Sequence, residues 1–392
     1  MKAGWQRKTI DAVCNVVNGG TPKTGIAEYW NGPHQWITPA EMGKRATPYI
    51  DQTERTITDA GMQNSSARLL PEQSVILSSR APIGHLVINT TPMATNQGCK
   101  GLVPRNGLDS KYLYHYLTSI VPLLNDLGTG ATFKELSGGK LKEVPVPVAP
   151  FPEQQRIVAI LDEAFDGIAT ARVNAEQNRQ NARTLFESHL QSVFTERRDG
   201  WVEKRLSDVC AITSRLVDPR KDEFADLTHV GAGNIESKTG IFIDLQTARE
   251  EGLISGKFIF DESMVLYSKI RPYLMKVARP DFNGLCSADM YPLTPLPNGI
   301  SRNYLFHLLL SKPFTDYAVQ GSARAGMPKV NREHLFEFRV WLPSVERQEE
   351  LSAKLDALHD ETQRLESLYQ QKLAALDELK KSLLHQAFSG AL

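Results

Sequence analysis

The chain has 392 residues, of which 41% are hydrophobic and 23% are charged, and its formal net charge is zero. This length allows two or more domains with separate cores, and the composition excludes a largely disordered chain. The zero net charge excludes a globally basic nucleic-acid binder but leaves a local basic face open. No run of about 18 apolar residues occurs, so no membrane span is expected.

The N-terminus and the cysteines bear on the compartment. The first residues, MKAGWQRKTI, lack the apolar stretch of a secretory signal. The cysteines Cys14, Cys99, Cys210 and Cys286 are widely spaced and form no CxxC pair. This pattern argues against a disulfide framework or a thiolate zinc site and is typical of a reducing compartment. We therefore expect a cytoplasmic protein in which Cys14 and Cys210 are buried core thiols.

The chain opens with a predicted mixed α+β domain over residues 1–150. Short apolar runs between turn signals, at residues 75–77 and 85–88, predict strands, and residues 112–124 predict a helix. The domain ends in the proline-rich segment VPVPVAPFP. This mixture of strands and helices predicts an α+β fold.

A proline-free segment continues to residue 199 and predicts a long helix. Eight of eleven positions in a heptad frame are apolar, and such a stripe must be buried against a partner. The frame runs through Ile157, Leu161, Ala164, Ile168, Ala171, Ala175, Asn178, Ala182, Leu185, His189 and Ser192.

The second half of the chain repeats the first. Gly, Trp, Lys, Val and Cys of GWQRKTIDAVC, at residues 4–14, recur in GWVEKRLSDVC at residues 200–210, an offset of 196. Further matches follow in the same order at offsets of 190 to 196, with His115 and His307 among them. Matches in constant order at a nearly constant offset indicate a duplication.

The duplication predicts the domain organisation. A second α+β domain covers residues 200–343, with a strand at 258–260 and a helix at 304–310, and a second long helix covers residues 344–392. The first helix leads into the second domain within a few residues, and the second helix starts directly from that domain. The two helices are therefore predicted to pair antiparallel, as a coiled coil with pseudo-two-fold symmetry, so that Phe388 lies near Gly4.

The chain lacks the sequence signatures of catalysis. It contains no GxGxxG, GxxxxGK[ST], HExxH, GxSxG or [DN]PP[YF] motif. His115 and His307 lie in apolar helical segments and are interpreted as half-buried packing residues rather than catalytic bases. We therefore predict a protein without chemistry, cofactor or metal of its own.

The domain segments carry net charges of +4 and +1, and the helical segments −2 and −3. The positive charge thus lies on the globular domains and the negative charge on the helices.

Two variable α+β domains, each followed by a long helix that a P-x-x-E-Q/R-Q motif introduces, resemble the specificity subunit of a Type I restriction–modification system. The second copy of the motif lacks the double Gln, and Gln348 is matched there with Gln155 across an inserted residue. Other family-like segments are SSRAPIGHLV, ATNQGCKGLVP, GATFKELSGGKLKEVPVPV and LYSKIRPYL. The motif residues are Pro150, Glu153, Gln154, Gln155, Arg156 and Ile157 in the first half, and Pro343, Glu346, Arg347 and Gln348 in the second.

The resemblance implies a non-catalytic subunit of a multi-subunit enzyme. Each globular domain would be a target recognition domain that reads one half of a bipartite, asymmetric target in double-stranded DNA. The helix pair would set the spacer between the half-sites and dock two modification subunits, which carry S-adenosylmethionine and methylate adenine. Two restriction subunits would add cleavage driven by ATP with Mg.

Direct reading of bases requires side chains that match donor and acceptor patterns, such as Arg with guanine and Asn or Gln with adenine. Polar loops between the apolar runs hold the candidates in both domains. They are Arg80, Thr95, Asn96, Gln97, Thr132 and Lys134 in the first domain, and Lys269, Arg271, Ser287, Asp289, Arg324, Lys329 and Asn331 in the second.

Two other classes of function are open at this point. One is a fused DNA methyltransferase or nuclease with an unrecognised active site, for which a methyl-transfer assay on the chain alone is the test. The other is a coiled-coil protein scaffold without DNA binding. A scaffold would show no salt-dependent affinity for DNA, whereas contacts to phosphates make that affinity fall as salt rises.

Overall fold

A computed structural model of the chain describes residues 2–45, 47–130, 134–196, 199–322 and 328–392. Thr132 and Arg324, two of the predicted DNA-contact residues, lie outside the described residues. The chain divides into two compact units, the first formed by Met1–Ala175 with Gln371–Leu392 and the second by Glu176–Gln370. Each unit thus contains one globular domain and a part of both long helices.

The first unit is built from alternating short strands and helices. Its strands are β1 (Gln6–Thr9), β2 (Cys14–Asn18), β3 (Trp30–Ile37), β4 (Tyr49–Ile50), β5 (Thr56–Ile57), β6 (Val75–Ser79), β7 (Ile83–Asn89), β8 (Met93–Thr95), β9 (Cys99–Pro104) and β10 (Pro145–Val148). Its helices are α1 (Ile10–Val13), α2 (Pro39–Met42), α3 (Asp59–Gln63), α4 (Ser110–Ser119), α5 (Val121–Leu127), α6 (Gly138–Glu143) and the start of α7 (Phe151–Thr195), with a 3₁₀ turn at Ala27–Tyr29.

The main sheet of the first unit has the strand order β2-β9-β6-β7-β4, and a smaller sheet has the order β5-β3-β8. Strand β6 is buried along its whole length, which matches its continuous apolar run and its central place. Strands β1 and β10 pair antiparallel, from Gln6 with Val148 to Thr9 with Pro145. The strands predicted at residues 75–77 and 85–88 are confirmed as parts of β6 and β7.

The second unit repeats this plan with shorter strands. Its strands are β11 (Val202–Arg205), β12 (Cys210–Ala211), β13 (Leu216–Val217), β14 (Thr228–Val230), β15 (Gln246–Thr247), β16 (Lys257–Phe260), β17 (Val265–Ser268), β18 (Val277–Ala278), β19 (Gly284–Cys286), β20 (Met290–Pro295) and β21 (Arg339–Leu342). Its helices are α8 (Leu206–Val209), α9 (Asp222–Ala225), α10 (Arg302–Leu310), α11 (Lys312–Gln320), α12 (Arg332–Glu337) and most of α13 (Val345–Ser389), with 3₁₀ turns at Ala232–Asn234 and Pro272–Leu274.

The sheets of the second unit have the strand orders β12-β20-β17-β18 and β13-β16-β19-β14-β15. Strands β11 and β21 pair antiparallel, as β1 and β10 do in the first unit. Each of these pairs begins just after a glycine with a positive φ, +82° at Gly4 and +83° at Gly200, a conformation that favours glycine. The predicted duplication and the α+β fold class are therefore confirmed.

The helix predicted at residues 112–124 is wrong as a single element. Helix α4 ends at Ser119, and α5 begins at Val121. Pro122 lies in the first turn of α5, where its missing N–H is tolerated, whereas inside a continuous helix it would break a backbone hydrogen bond. The helix predicted at residues 304–310 is confirmed within α10.

The two long helices, of 45 residues each, run antiparallel within each unit. In the first unit Arg156 Nη2 donates to the carbonyl oxygen of Leu392 at 2.8 Å, and Arg172 pairs with Asp377. In the second unit Arg183 Nε lies 2.9 Å from Glu366 Oε1. The residue numbers of the partners near and in α13 therefore decrease as the residue numbers on α7 increase. This is the antiparallel direction that the chain connectivity predicts.

The predicted heptad frame describes only the first part of α7. Ile157, Leu161, Ile168, Ala175 and Ala182 are buried as expected. Beyond Ala182 the buried residues are Phe186, Leu190 and Val193, each one position later than the predicted Leu185, His189 and Ser192. An α-helix has about 3.6 residues per turn, so it drifts roughly 20° per heptad, and about five heptads accumulate one residue. The strict seven-residue frame was therefore wrong for the last turns.

The cysteines are buried in the cores. Cys14, Cys99, Cys210 and Cys286 are all free and buried, and burial raises the pKa of each thiol to about 12. The interpretation of Cys14 and Cys210 as core thiols is confirmed. Within the ranges that the structure covers, we find no helix with the length and hydropathy that crossing a bilayer requires.

Candidate nucleic-acid interface

The end of strand β6 gathers the candidates of the first domain. The amide of Ser79 donates to the carbonyl oxygen of Gly98 at 2.8 Å, and the amide of Leu136 donates to that of Ser79 at 2.8 Å. These bonds bring the turn after β8 and the segment before α6 to the same edge. We call the resulting set cluster 1, comprising Arg80, Thr95, Asn96, Gln97, Lys134 and Glu135.

Two side chains of cluster 1, those of Thr95 and Asn96, hold the turn after β8 in its conformation. Thr95 is 2% exposed, and an added Cβ at Gly19 would lie 2.5 Å from its Oγ1, so this close approach requires glycine. The side-chain amide of Asn96 donates through Nδ2 to Thr21 Oγ1 at 3.0 Å, and its Oδ1 accepts from the Gly98 N–H at 2.7 Å. These two residues shape the turn.

The other members of cluster 1 face outward. Gln97 and Lys134 are exposed, and Arg80 keeps 35% of its side chain accessible. Arg80 and Glu135 form an isolated antiparallel bridge through their backbones, and their charged groups lie 3.7 Å apart. The result is a polar edge with two cations, an amide and a carboxylate.

The end of strand β17 gathers the candidates of the second domain in the same way. The amide of Lys269 donates to the carbonyl oxygen of Asp289 at 3.1 Å, and the amide of Val330 donates to that of Lys269 at 2.8 Å. We call this set cluster 2, comprising Lys269, Arg271, Ser287, Asp289, Lys329 and Asn331.

Three members of cluster 2 hold its framework. The ammonium of Lys269, 13% exposed, donates to the carbonyl oxygen of Ala288, and burial, with Lys329 nearby, lowers its pKa. Ser287 Oγ accepts from the amide of Asp289 at 3.2 Å. Asn331 caps α12, accepting from the His334 amide at 2.7 Å.

Arg271, Lys329 and Asp289 form the accessible part of cluster 2. Arg271 is exposed and has a φ of +50°, and the residue before Pro82 in the first unit, Ala81, has a φ of +52°. A non-glycine residue is strained in this conformation, and such strain tends to occur at functional sites. Both units therefore place the same strained turn beside their polar cluster.

The P-x-x-E-Q/R-Q motif links the start of each long helix to its globular domain through a buried glutamine. Gln154 is fully buried; its Oε1 accepts from the Asp109 amide at 2.9 Å, and its Nε2 donates to the carbonyl oxygens of Gly107 and Ala149, both at 2.8 Å. In the second unit Gln348 makes the corresponding bonds to Ser301, Gly299 and Pro343. The match of Gln348 with Gln155 was therefore wrong by one residue, and Gln154 is the true counterpart.

Replacing Gln154 with alanine is expected to destabilise the first unit by about 2–3 kcal/mol, because three backbone groups lose a buried partner. Gln155 is exposed, so Gln155→Ala provides a matched control with an expected change within about 0.5 kcal/mol. Chemical denaturation, monitored by hydrogen exchange of α4 peptides, measures the free energy of unfolding of both variants. Equal effects of the two variants would contradict the assignment.

Each domain is also fastened to its long helix through a histidine and an aspartate. His115 Nε2 lies 3.1 Å from Asp162 Oδ1, and Lys111 bonds the other oxygen at 2.5 Å. In the second unit His307 Nε2 lies 2.8 Å from Asp356 Oδ1. Both histidines pack inside their domains as expected, but at 3% and 1% exposure they are fully buried, so the expected half-burial was wrong.

The second unit adds a guanidinium to this contact. Arg279 Nη2 and Nη1 donate to the two oxygens of Asp356 at 2.7 and 3.1 Å. Burial alone would raise the pKa of Asp356, but the hydrogen bonds from His307 and Arg279 hold it well below its usual value. Burial lowers the pKa of His307 against the opposing effect of Asp356.

These shifts predict loss of stability in acid. Because the pKa of His307 is lower in the folded chain than in the unfolded chain, the unfolded chain binds the proton first as the pH falls below about 6.5. The contribution is complete above that pH and is lost as the pH falls further, through the lowered pKa of the folded state, by at most about 1.4 kcal/mol per pH unit. Asp356 loses its own contribution only at lower pH. His307→Gln should flatten the pH dependence of the thermal midpoint between pH 7 and 5, and an unchanged profile would argue against this assignment.

The family model described as "Type I restriction modification DNA specificity domain" matches residues 2–177 and, a second time, residues 198–374. The chain belongs to this family. The two matches fall on the two repeats, each with its own polar cluster.

Two curated relatives of this chain are both named as specificity subunits of Type I restriction enzymes. A specificity subunit of the Type I restriction enzyme MjaIX from Methanocaldococcus jannaschii is 34% identical over 56% of the chain. That of EcoDI from Escherichia coli is 28% identical over 73% of the chain. The matched regions span 54% and 70% of these relatives, so the chain covers about half the length of the first.

Solved structures show the same fold. A chain from a study of complex assembly and conformational transition of the type I R-M system aligns over 100% of this specificity-family chain and 99% of its own length, with a TM-score of 0.78 and 17% identity. The HsdS subunit from Thermoanaerobacter tengcongensis aligns over 100% and 98%, with a TM-score of 0.65 and 16% identity.

Some residues of interest escaped sequence reasoning. Glu135 was not singled out, although it directly follows Lys134. Asp162 and Asp356 were also missed, although they recur at an offset of 194, close to that of the repeated histidines. Comparing which polar residues recur in both halves of the chain would have found the aspartates. In the described part of the chain, no group of His, Cys, Asp and Glu residues is arranged to hold a metal ion.

Proposed function

We propose that the chain is the DNA specificity subunit of a Type I restriction–modification complex. Each domain reads one part of a bipartite, asymmetric target in double-stranded DNA. The chemistry resides on partners: two modification subunits bind S-adenosylmethionine and methylate adenine, and two restriction subunits use ATP and Mg. The assembly acts in the cytoplasm.

One observation carries this proposal: the family match occurs twice, and the equivalent edges of the two domains carry different polar side chains. The first presents Arg80, Gln97, Lys134 and Glu135, and the second presents Arg271, Asp289 and Lys329. Equivalent scaffolds with different reading side chains suit a target whose two parts differ in sequence.

The clusters divide the candidate residues into two roles. The outward side chains contact DNA, with Arg80, Gln97 and Arg271 at base edges and Lys134 and Lys329 on phosphates. The side chains that are buried or bonded within the protein position the turns. They are Thr95, Asn96, Lys269, Ser287 and Asn331. Thr132 and Arg324, which lie outside the described residues, also contact DNA in this proposal.

Exposed apolar side chains on the long helices support the docking of protein partners there. Val173 is 69% exposed, Leu185 61% and Leu379 46%. Burying such side chains against a partner would be favourable by about 25 cal/mol per Å² of apolar area removed from water.

The decisive experiment is to express the chain with a modification subunit in cells lacking other adenine methyltransferases. Sequencing of methylated adenines should then yield one bipartite motif with unequal halves. The chain without its partner should yield no methylation. Methylation by the chain alone, or a complex that methylates without a motif, would overturn the proposal.

Lys134 and Lys329 should contribute mainly to the salt dependence of DNA binding. Each neutralised phosphate contributes roughly −0.9 to the slope of log K against log salt, so Lys134→Ala and Lys329→Ala should each flatten the slope of the complex by about that amount without changing the motif. Arg249→Ala is the control, because Arg249 pairs with Asp226, which precedes β14 at the end away from cluster 2. Unchanged slopes would remove both lysines from the interface.

A further inference from the structure

Each cluster carries one accessible carboxylate among its cations. The side chain of Glu135 is 44% exposed in cluster 1, and that of Asp289 is 50% exposed in cluster 2. Because DNA phosphates repel carboxylates, an acid at this edge either neutralises neighbouring cations or accepts a hydrogen bond from a base.

The distances favour an available acceptor. Glu135 Oε2 lies 3.7 Å from Arg80 Nη1, and Asp289 Oδ1 lies 3.7 Å from Lys269 Nζ and 3.8 Å from Lys329 Nζ. A direct N–H···O bond is about 2.7–3.2 Å long. The cations therefore offset the charge of each carboxylate, while these contacts leave its oxygen lone pairs unused.

The backbone of both residues is fixed. Glu135 exchanges two hydrogen bonds with Thr129, at 2.9 and 3.0 Å. The backbone amide of Asp289 donates to Ser287 Oγ, and its carbonyl oxygen accepts from the amide of Lys269. Each carboxylate is thus presented from an ordered position, as selective recognition requires.

We infer that Glu135 and Asp289 are specificity-determining residues that accept a hydrogen bond from the exocyclic amino group of cytosine or adenine, one in each half of the target. An ionised carboxylate only accepts hydrogen bonds. In the major groove it therefore matches cytosine N4 or adenine N6 and is repelled by guanine O6 and thymine O4. This inference rests on the proposed function.

The test compares the methylation motifs of complexes carrying Glu135→Gln, Asp289→Asn or the control Asp226→Asn. An amide both donates and accepts, so each variant should lose discrimination at one base pair by roughly 10-fold, equivalent to about 1.4 kcal/mol. Glu135→Gln should relax one half-site and Asp289→Asn the other. The identity of the relaxed position distinguishes cytosine from adenine.

Each outcome is decisive. If both variants keep the wild-type motif, the carboxylates only neutralise cations and the inference fails, while the proposed function stands. If the wild-type complex shows no bipartite motif, the proposed function fails and the inference with it. If methylation by a variant is weak, equilibrium binding of its complex to duplexes substituted at each position supplies the same comparison.

Discussion

Replacing Asp356 with alanine is expected to destabilise the second unit by about 2–4 kcal/mol. The change leaves the Nε2 of the buried His307 and the bidentate guanidinium of Arg279 without their common acceptor, and removing one partner of a buried charged contact is strongly destabilising. Asp356 is one third exposed, so water recovers part of the loss. Hydrogen exchange of α10 peptides in the full-length chain measures the effect.

Asp360→Ala is the matched control for this prediction, because Asp360 is exposed on the same helix. Its expected effect lies within about 0.5 kcal/mol. Exchange of α4 peptides, which lie in the first unit, should be unchanged in both variants. Equal protection of α10 in the two variants would show that Asp356 does not hold the domain to its helix.

Replacing Arg271 with alanine in the assembled complex is expected to weaken binding to the cognate target by 10- to 100-fold, or about 1–3 kcal/mol, with relaxed selection at one base pair. Arg271 is exposed beside Asp289 and Lys329 and is held by a bond from its amide to the carbonyl oxygen of Pro328 at 2.9 Å. A guanidinium in this position can bond guanine O6 and N7 together.

Two further variants separate charge from geometry in this prediction. Arg271→Lys keeps the charge but loses the planar pair of donors, so it should retain non-specific affinity and still lose selection. Arg249→Ala should bind as the wild type does. Uniform weakening on all sequences in Arg271→Ala would assign Arg271 to a phosphate instead.

The repeat made much of the architecture predictable. Matches at a nearly constant offset revealed two equivalent domains, and the proline-free apolar stripes revealed the long helices. Their antiparallel direction followed from connectivity, because a short link leaves the returning helix few alternatives. The break between α4 and α5 could have been read from Pro122 alone.

The candidate site was only partly predictable. The sequence located the polar loops, but it could not show that Thr95 is buried or that the Lys269 ammonium is occupied, since both are set by contacts with residues distant in the chain. A polar side chain in a loop has the same sequence signature whether it faces solvent or caps a turn.

The sequence by itself determined the duplication, the α+β class, the long helices and the family resemblance, because these depend on periodicity and local composition. The tertiary structure decided the rest: Gln154 rather than Gln155 as the buried joint, Asp162 and Asp356 as the partners of the histidines, and the one-residue drift of the helical seam. Those features depend on which side chains meet after folding, and an error of one residue turns a helical side chain by about 100°.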